Sequence, residues 1–459
     1  MYELAGLPIY FLIAYNLLFF YKIWLNPFTI SRSELLSTFY PSWLYIGQKI
    51  REGKSWRYEP YYWLNFHAHP VLSSYYPPHI ITSYIASFLS LDSAFSLLSR
   101  TILVHFVFTS IGWYLTVSTW ASPTVALFGA ITLTYSAYNI KQQPCTVYTI
   151  SWFSWLIYGI TIQNLAISSI SCGMVLLSGY YPIGIQMLLL SFLASLLWWG
   201  PLSLLWIPIG VLIGLPQIIP FIKYIPKTIR VKSNEKVDVG YWEKTWYPGL
   251  SALFLAFYST SRIWPLLIIS LLLSLGLFSK YLPRISYRWL FTVQFCLGWM
   301  ALSGLTRVEA SLVPLILFLQ AFDLYWHNSR LIPTLPFSEL PKKPSWAFYN
   351  PLARYLSNSL GEHRVSGLPY PLFTGIINKF RTLGYSGGMQ LSLMAKFRND
   401  TSANGSGAHD WFKLKNDGED VDRYRVKFAY TRKGIDWLPT PIKYLYENPR
   451  IQPCASKSS

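Results

Sequence analysis

The chain has 459 residues, of which 52% are hydrophobic and 18% aromatic, and its mean hydropathy is +0.30. This composition excludes an ordinary soluble domain and indicates an integral membrane protein, because a soluble core does not need so many long apolar segments. The net charge of +18 suits anionic lipid headgroups or a phosphate-bearing substrate, whereas the membrane-rich composition argues against nucleic acid as a partner.

The first apolar segment lacks a basic region before it and is long enough to span a bilayer, so we expect an uncleaved first helix. Further apolar segments follow, and residues 1–326 are predicted to form a mainly α, polytopic bundle of about eleven transmembrane helices. The predicted spans are 5–25, 97–118, 122–139, 148–164, 165–181, 183–199, 202–222, 248–261, 263–280, 289–305 and 309–326.

The loop at 26–77 contains the first candidate site residues. It combines Glu34, Glu52 and Glu59 with His67, His69 and a dense run of aromatic residues and prolines, EPYYWLNFHAHPVLSSYYPP. Aromatic rings can stack on sugar rings and carboxylates can accept hydrogen bonds from hydroxyl groups, so this loop favours a sugar ligand. The two histidines are also an option for a divalent metal, but their spacing defines no clear ligand set. Residues 78–93 are predicted to form a short interfacial or re-entrant helix.

A basic loop at 223–248 supplies the complementary charge. Lys223, Lys227 and Arg230 occur at helix-like spacing and predict a phosphate or diphosphate site, with ordinary headgroup contact as the alternative. The positive-inside rule places this loop in the cytoplasm, whereas counting spans from a cytoplasmic N-terminus places it outside together with loop 26–77. Charge alone leaves both orientations open.

The pattern changes after Trp326. Residues 327–459 hold 19 of the 38 basic and 10 of the 20 acidic residues. Residues 327–345 read as a linker rich in proline and serine, and residues 346–459 as a small mixed α/β domain, with a period-two strand signal at Asp422–Arg432.

Ionisable and thiol groups elsewhere give weaker signals. Asp92, Glu309 and Asp323 fall within or beside apolar segments, where a functional role competes with a solvated helix end. The cysteines form no CxxC pair and predict isolated thiols packed as small apolar residues. They are Cys145, Cys172, Cys296 and Cys454.

Several segments together resemble a known family. SELLSTFYP (33–41) resembles the first-loop motif of YfhO-type bacterial membrane proteins, roughly Gly-Asp-Leu-x-x-Gln-Tyr-x-Pro. REGKSWRYEPYYWLNF and SSYYPP resemble its following Trp and Tyr-Pro-Pro segments, SGYYPIGIQ its Gly-Tyr segment and GLPQIIPFIKYIPKTIR its Gln-x-x-Pro span end. RTLGYSGGMQ and IKYLYENPRIQP resemble elements of its C-terminal part, so the resemblance runs from about 33 to 453.

That family is similar to the GT-C fold of integral-membrane glycosyltransferases. The resemblance implies an inner-membrane protein with a cytoplasmic N-terminus, an extracytoplasmic active site and C-terminal domain, and a polyprenyl-phosphate-linked sugar as donor to an envelope glycan or lipid acceptor. It implies a catalytic carboxylate at Glu34, where the family has aspartate. Tyr40, Glu59, His67, His69 and Tyr76 would then bind the sugar, and Lys223, Lys227 and Arg230 the lipid phosphate.

Two other functions remain open from the sequence. One is a non-catalytic GT-C-like protein that binds a glycolipid or assists envelope assembly, which the glutamate at the aspartate position favours. The other is a transporter or lipid flippase, for which paired inverted repeats and intramembrane charges would be expected but are not evident.

Overall fold

The structure, a computed structural model, describes the backbone of most of the first 331 residues and of short segments after them. The described residues are 2–27, 39–56, 73–140, 144–224, 228–230, 247–260, 263–274, 286–331, 358, 364–366, 381–386, 389–391, 401–404, 409–414, 426–430 and 445–447.

The described part of residues 2–331 is mostly helical. Its α-helices are α1 (Tyr2–Phe19), α2 (Tyr21–Leu25), α3 (Tyr40–Arg51), α4 (Pro77–Ala86), α5 (Leu91–Ser118), α6 (Pro123–Tyr135), α7 (Ala137–Ile140), α8 (Pro144–Thr161), α9 (Leu165–Leu177), α10 (Tyr181–Trp199), α11 (Trp206–Tyr224), α12 (Leu250–Phe257), α13 (Trp264–Ser274), α14 (Leu290–Leu305) and α15 (Val313–Asn328). Short 3-10 turns occupy Pro201–Leu205, Ser286–Trp289 and Ser329–Leu331.

Polar caps and prolines define where these apolar segments become helical. Ser90 caps α5 by accepting a hydrogen bond from the Ser93 backbone N–H at 3.2 Å, and Asn164 caps α9 through Ile167 at 3.0 Å. Prolines stand in the first turns of α4 and α6, where a missing N–H costs no helical hydrogen bond. Because of the Ser90 cap, α5 begins at Leu91, six residues before the predicted span and inside the segment predicted as a separate short helix.

Every predicted span contains a helix, but not every helix has the length of a bilayer. Among the described residues, three helical segments are long and apolar enough to cross a membrane: Leu91–Ser118, Tyr181–Trp199 and Ser203–Ile222. Shorter apolar helices include Gly6–Phe19, Pro123–Tyr135 and Leu290–Leu305. These helices indicate a membrane protein, and the number of eleven spans stays a prediction.

Small residues allow the helices to approach closely. A Cβ atom on Gly47 of α3 would lie 1.9 Å from the Ser83 carbonyl oxygen of α4, and one on Gly173 of α9 would lie 2.5 Å from the Ile213 Cβ of α11. Helix α5 packs against α6 and α8, and α14 packs against α12, α13 and α6. Close backbone contact at small residues is typical of helix association in membranes, where water contributes no driving force.

Short strands occupy the described part of the C-terminal third, together with one in the basic loop. They are β1 (Thr228–Arg230), β2 (Arg364–Ser366), β3 (Arg381–Ser386), β4 (Met389–Leu391), β5 (Thr401–Asn404), β6 (His409–Leu414), β7 (Val426–Tyr430) and β8 (Leu445–Glu447). Six of them follow the order β5-β6-β3-β2-β7-β8, with β2 parallel to β3 and β7. Strand β1 pairs antiparallel with β4.

Strand β7 lies inside the segment Asp422–Arg432, where the sequence predicts a strand. The linker 327–345 and the separate mixed α/β domain at 346–459 stay predictions, because most of these residues lie outside the described ones.

Candidate functional site

Of the nine predicted site residues, the structure describes two with their side chains, two by their backbone alone and five not at all. Glu34, Glu59, His67, His69 and Lys227 lie outside the described residues. The backbone of Lys223 lies in the last turns of α11, and that of Arg230 lies in β1. The meeting of Glu34 with the basic residues therefore stays a prediction. Tyr40 and Tyr76 are described with their side chains.

Tyr40 is the first residue of α3 and is fully buried. Its hydroxyl donates a hydrogen bond to the Leu91 carbonyl at the start of α5, and its ring packs edge-on against Phe95 with centroids 4.8 Å apart. Tyr40 therefore fixes the beginning of α3 against α5, immediately after the segment that contains Glu34.

Tyr76 is also fully buried, and its local sequence explains its position. The residue precedes Pro77, so its backbone is extended, with φ −75° and ψ 114°, while the following prolines start α4. Its hydroxyl lies 2.8 Å from His105 Nε2 on α5 and 2.6 Å from Trp152 Nε1 on α8.

The chemistry of the end groups fixes the direction of this hydrogen-bond chain. The indole N–H of Trp152 can only donate, and the Thr101 carbonyl, 2.7 Å from His105 Nδ1, can only accept. His105 therefore carries its proton on Nδ1, and Tyr76 donates to Nε2 while it accepts from Trp152. This arrangement ties α4, α5 and α8 together through the predicted sugar-binding residue Tyr76.

An aromatic cluster surrounds this chain, which we call the aromatic box: Trp43, Tyr76, His79, His105, Tyr148 and Trp152. Tyr148 lies at its centre, with ring centroids 5.1 Å from Tyr76 and 4.3 Å from His105. Trp43 contacts His79 at 4.4 Å and Tyr148 at 6.3 Å. Tyr148 and Trp152 are four residues apart on α8 and so share a face of that helix.

A third segment reaches the same region through hydroxyl groups. The Ser73 hydroxyl donates to the Ser178 carbonyl at 2.6 Å, and the Ser178 and Thr149 hydroxyls hydrogen-bond each other. Gly179 follows with φ 80°, a left-handed conformation that glycine adopts without strain, and the chain then enters α10. Residues near 40, 75 and 178, which are far apart in the sequence, therefore meet around α8.

His79, His105, Tyr148 and Trp152 were not among the predicted site residues. Each lies in a helix among apolar or small residues, where the sequence does not distinguish a histidine, tyrosine or tryptophan from an ordinary core residue. His105 carried a usable signal, because an ionisable residue in the middle of a span-length apolar segment is a functional candidate by default.

The three acidic candidates have ordinary environments. Asp92 lies in the first turn of α5, where a carboxylate complements the helix dipole. Glu309 is bonded by the Ser311 hydroxyl at an exposed site. Asp323 of α15 accepts hydrogen bonds from the Tyr247 hydroxyl at 2.7 Å and from the Leu250 backbone N–H at 2.7 Å, so it anchors the start of α12.

The structure describes three of the four cysteines but neither histidine of the predicted metal option. The side chains of Cys145, Cys172 and Cys296 are buried and form no disulfide, which confirms the packing prediction for these three, and Cys454 lies outside the described residues. Among the described residues, no group of three or more His, Cys, Asp or Glu side chains is arranged to hold a metal ion. The option of a divalent metal at His67 and His69 falls on residues outside them.

These contacts form a buried aromatic cluster that joins α3, α4, α5 and α8. A comparison of the sequence with protein-family models and with curated proteins finds no match.

Proposed function

We propose that the chain is an integral-membrane glycosyltransferase of the GT-C type. It transfers a sugar from a polyprenyl-phosphate donor to an envelope glycan or lipid acceptor on the extracytoplasmic side of the cell inner membrane. In this proposal about eleven helices span the membrane, and a C-terminal mixed α/β domain lies outside the cytoplasm.

One observation supports this function best. Two of the segments that resemble YfhO-type proteins, around Tyr76 and Ser178, meet on α8, and the segment that ends at Pro41 is followed by Trp43, whose ring lies 6.3 Å from that of Tyr148 on the same helix. A framework that holds these segments together would give the flanking loops a fixed geometry, and transfer depends on such positioning.

The proposed reaction needs few groups. The acceptor hydroxyl oxygen attacks the anomeric carbon of the donor, the bond from that carbon to the phosphate oxygen breaks, and polyprenyl phosphate leaves. Glu34 takes the proton of the acceptor hydroxyl as general base. Lys223, Lys227 and Arg230 stabilise the negative charge of the departing phosphate.

The other groups of the proposed site act on the sugar. Glu59, His67 and His69 line the sugar pocket, and Tyr40 and Tyr76 hold its walls from their buried positions. A divalent metal is not required by this scheme.

The first test is removal of the proposed base. Glu34→Gln in proteoliposomes, supplied with polyprenyl-phosphate sugar and an acceptor, should lower the transfer rate by about 10²–10⁴-fold, because a general base contributes about that factor. Glu52→Gln is the matched control, since Glu52 is an exposed glutamate of the same loop region that pairs with Lys49 at 2.9 Å and Lys54 at 3.2 Å. Full activity of Glu34→Gln would contradict the assignment.

A second candidate function is a non-catalytic member of the same fold that binds a glycolipid. The feature that favours it is that position 34 holds glutamate where the resembling family has aspartate. The carboxylate of glutamate is one methylene further from the backbone than that of aspartate. Donor binding without turnover on any acceptor would support this candidate, and Glu34→Asp would then be the variant to test for restored transfer.

A further inference from the structure

Helix α4 has one buried and one exposed side, and the exposed side is apolar. Its residues follow the spacing of one helix face and are 41% to 59% exposed: Ile81, Tyr84, Ile85, Phe88 and Leu89. The helical turn continues through Phe88 and Leu89, whose backbone N–H groups donate to carbonyls of α4 at 3.1 Å. His79 and Ser83 lie on the opposite side and are fully buried. Helix α4 is therefore packed against the protein on one side and presents large apolar side chains on the other.

Arg51 brings a positive charge to the end of this exposed face. It is the last residue of α3, is itself exposed, and donates a hydrogen bond to the Ser87 carbonyl. Its guanidinium lies 5.4 Å from the centre of the Phe88 ring. A guanidinium has five N–H donors in a planar fork, so the bond to Ser87 is compatible with another to a phosphate oxygen.

Two lysines beside Arg51 give the end of α3 a net positive charge. Residues 49–54 contain three basic side chains and one acidic side chain. Lys49 and Lys54 pair with Glu52 at 2.9 Å and 3.2 Å, and the Lys54 side chain is 67% exposed. Ion pairs at such exposed positions are weak, so both lysines can also interact with an anion. An apolar helix face bordered by basic residues is typical of a helix at a membrane surface.

The length and connection of α4 also favour a position at the membrane surface. Its ten residues extend about 15 Å, half of the ~30 Å hydrocarbon core, so α4 cannot cross a bilayer by itself. The link 87–90 joins it to α5, which is long and apolar enough to cross. The exposed face therefore lies within reach of the boundary between acyl chains and headgroups.

We propose that the exposed face of α4 and the basic end of α3 form a contact surface for anionic phospholipid. The acyl chains cover the apolar side chains of α4, and the phosphate group binds Arg51 and Lys54. An anionic headgroup complements the positive charge, whereas a second copy of the chain would bring two positive clusters into one interface. The surface does not depend on the proposed transfer of a sugar.

A fluorescent label on α4 tests whether lipid covers the face. Ile85→Cys is made in the full chain with Cys454 replaced by serine, is labelled with the fluorophore NBD, and is placed in nanodiscs of phosphatidylcholine and phosphatidylglycerol. The parent chain without Ile85→Cys gives the background. Doxyl groups on the acyl chains should quench the label, and dithionite in the water should reduce it more slowly than a label at Ser93→Cys, an exposed position in the first turn of α5.

The same label tests the choice of headgroup in detergent. The labelled chain is titrated with phosphatidylglycerol and with phosphatidylcholine, and the Kd for phosphatidylcholine divided by that for phosphatidylglycerol measures the anionic preference. Arg51→Gln and Lys54→Gln should each lower this ratio by about fivefold, the effect of one cation near an anionic lipid. Arg51→Lys keeps the charge and should keep the preference.

Two features of the variants separate this effect from damage to the fold. Arg330→Gln is the matched control, because Arg330 is also exposed and stacks on a ring, 4.2 Å from the centre of Trp326 beyond the end of α15, and it should leave the ratio unchanged. Lys54→Gln remains informative if Arg51→Gln loosens the contact between α3 and Ser87, because the exposed Lys54 side chain pairs only with the equally accessible loop carboxylate of Glu52 among the described residues.

Three results would overturn the inference. Dithionite reduction at position 85 as fast as at position 93 would place the face in water. Protection from dithionite without quenching by doxyl lipids would mean that protein, a second copy or another chain, covers the face. A Kd ratio unchanged in both Arg51→Gln and Lys54→Gln would contradict recognition of the anionic headgroup by these residues.

Discussion

At the scale of single residues, the described polar groups divide into those that are satisfied within the fold and those that are not. Asp323 belongs to the first kind, since its carboxylate accepts from Tyr247 and from the backbone of Leu250, and His327 lies 3.5 Å away. Trp43, His79 and Tyr148 belong to the second. Asp323, which the sequence marks as a functional candidate, therefore has a structural role in the described part of the chain.

Replacement of Asp323 should test its structural role. Asp323→Ala leaves the Tyr247 hydroxyl and the Leu250 N–H without their acceptor, so we expect a loss of about 1–3 kcal/mol in the free energy of unfolding, measured by thermal unfolding in detergent. Glu309→Ala at an exposed site is the control and should change stability by less than about 0.5 kcal/mol. Equal effects of the two variants would contradict the anchoring role.

The same contact predicts a pH dependence. Burial, and then the hydrogen bond to Asp323, raise the pKa of Tyr247, which lies just before α12. The unfolded chain loses the proton of this tyrosine near pH 10 while the folded chain keeps it, so stability should be full below that pH and fall as the pH rises above it. Unfolding followed between pH 9 and about 11 should show a shallower decline in Tyr247→Phe than in the unaltered chain, and identical slopes would contradict the prediction.

At the scale of elements, close helix contacts depend on glycine. Helices α3 and α4 hold Trp43 and His79, and they approach so closely at Gly47 that a methyl group would meet the Ser83 carbonyl oxygen. Because that oxygen belongs to the backbone of α4, it cannot move without moving the helix. The geometry of the aromatic box thus depends on one side chain being absent.

Gly47→Ala should therefore destabilise the protein and also disturb the box. We expect a lower Tm, since α3 and α4 must separate at this contact. The matched control is Gly184→Ala in α10, where the nearest atom would lie 3.5 Å from the new Cβ and alanine is the better helix former. A Tm for Gly47→Ala equal to that of Gly184→Ala would show that the two helices are not in this contact.

At the scale of the whole molecule, one strand pair connects the basic loop to the C-terminal third. Ile229 of β1 stands opposite Gln390 of β4 in an antiparallel register. The two segments must then lie on the same side of the membrane. The proposed topology also places the basic loop and the C-terminal third on one side. The strand pair constrains that topology independently of the count of charged residues in the loops.

Disulfide formation can test this pairing in the full chain. With Cys454 replaced by serine, Ile229→Cys and Gln390→Cys should cross-link on mild oxidation, because opposing Cα atoms lie about 4.5–5.5 Å apart. Thr228→Cys with Met389→Cys is the control pair, since these positions are two residues out of register and about 7–8 Å apart. Cross-linking of the control pair but not of the first pair, read on a non-reducing gel, would refute the register.

The amino-acid sequence by itself determined most of the helical elements, because long apolar segments have few alternatives to helix in a bilayer and because residues such as Ser90 and Pro77 define where helices begin. Helix α3 is an exception, since it lies inside 26–77, which the sequence predicts as a loop. It also identified Tyr40 and Tyr76 as residues of interest. Only the tertiary structure decided what these residues touch. His105 and Tyr148 come from separate helices, and the direction of their hydrogen bonds and the unpaired atoms beside them depend on packing across α3, α4, α5 and α8 that no local pattern encodes.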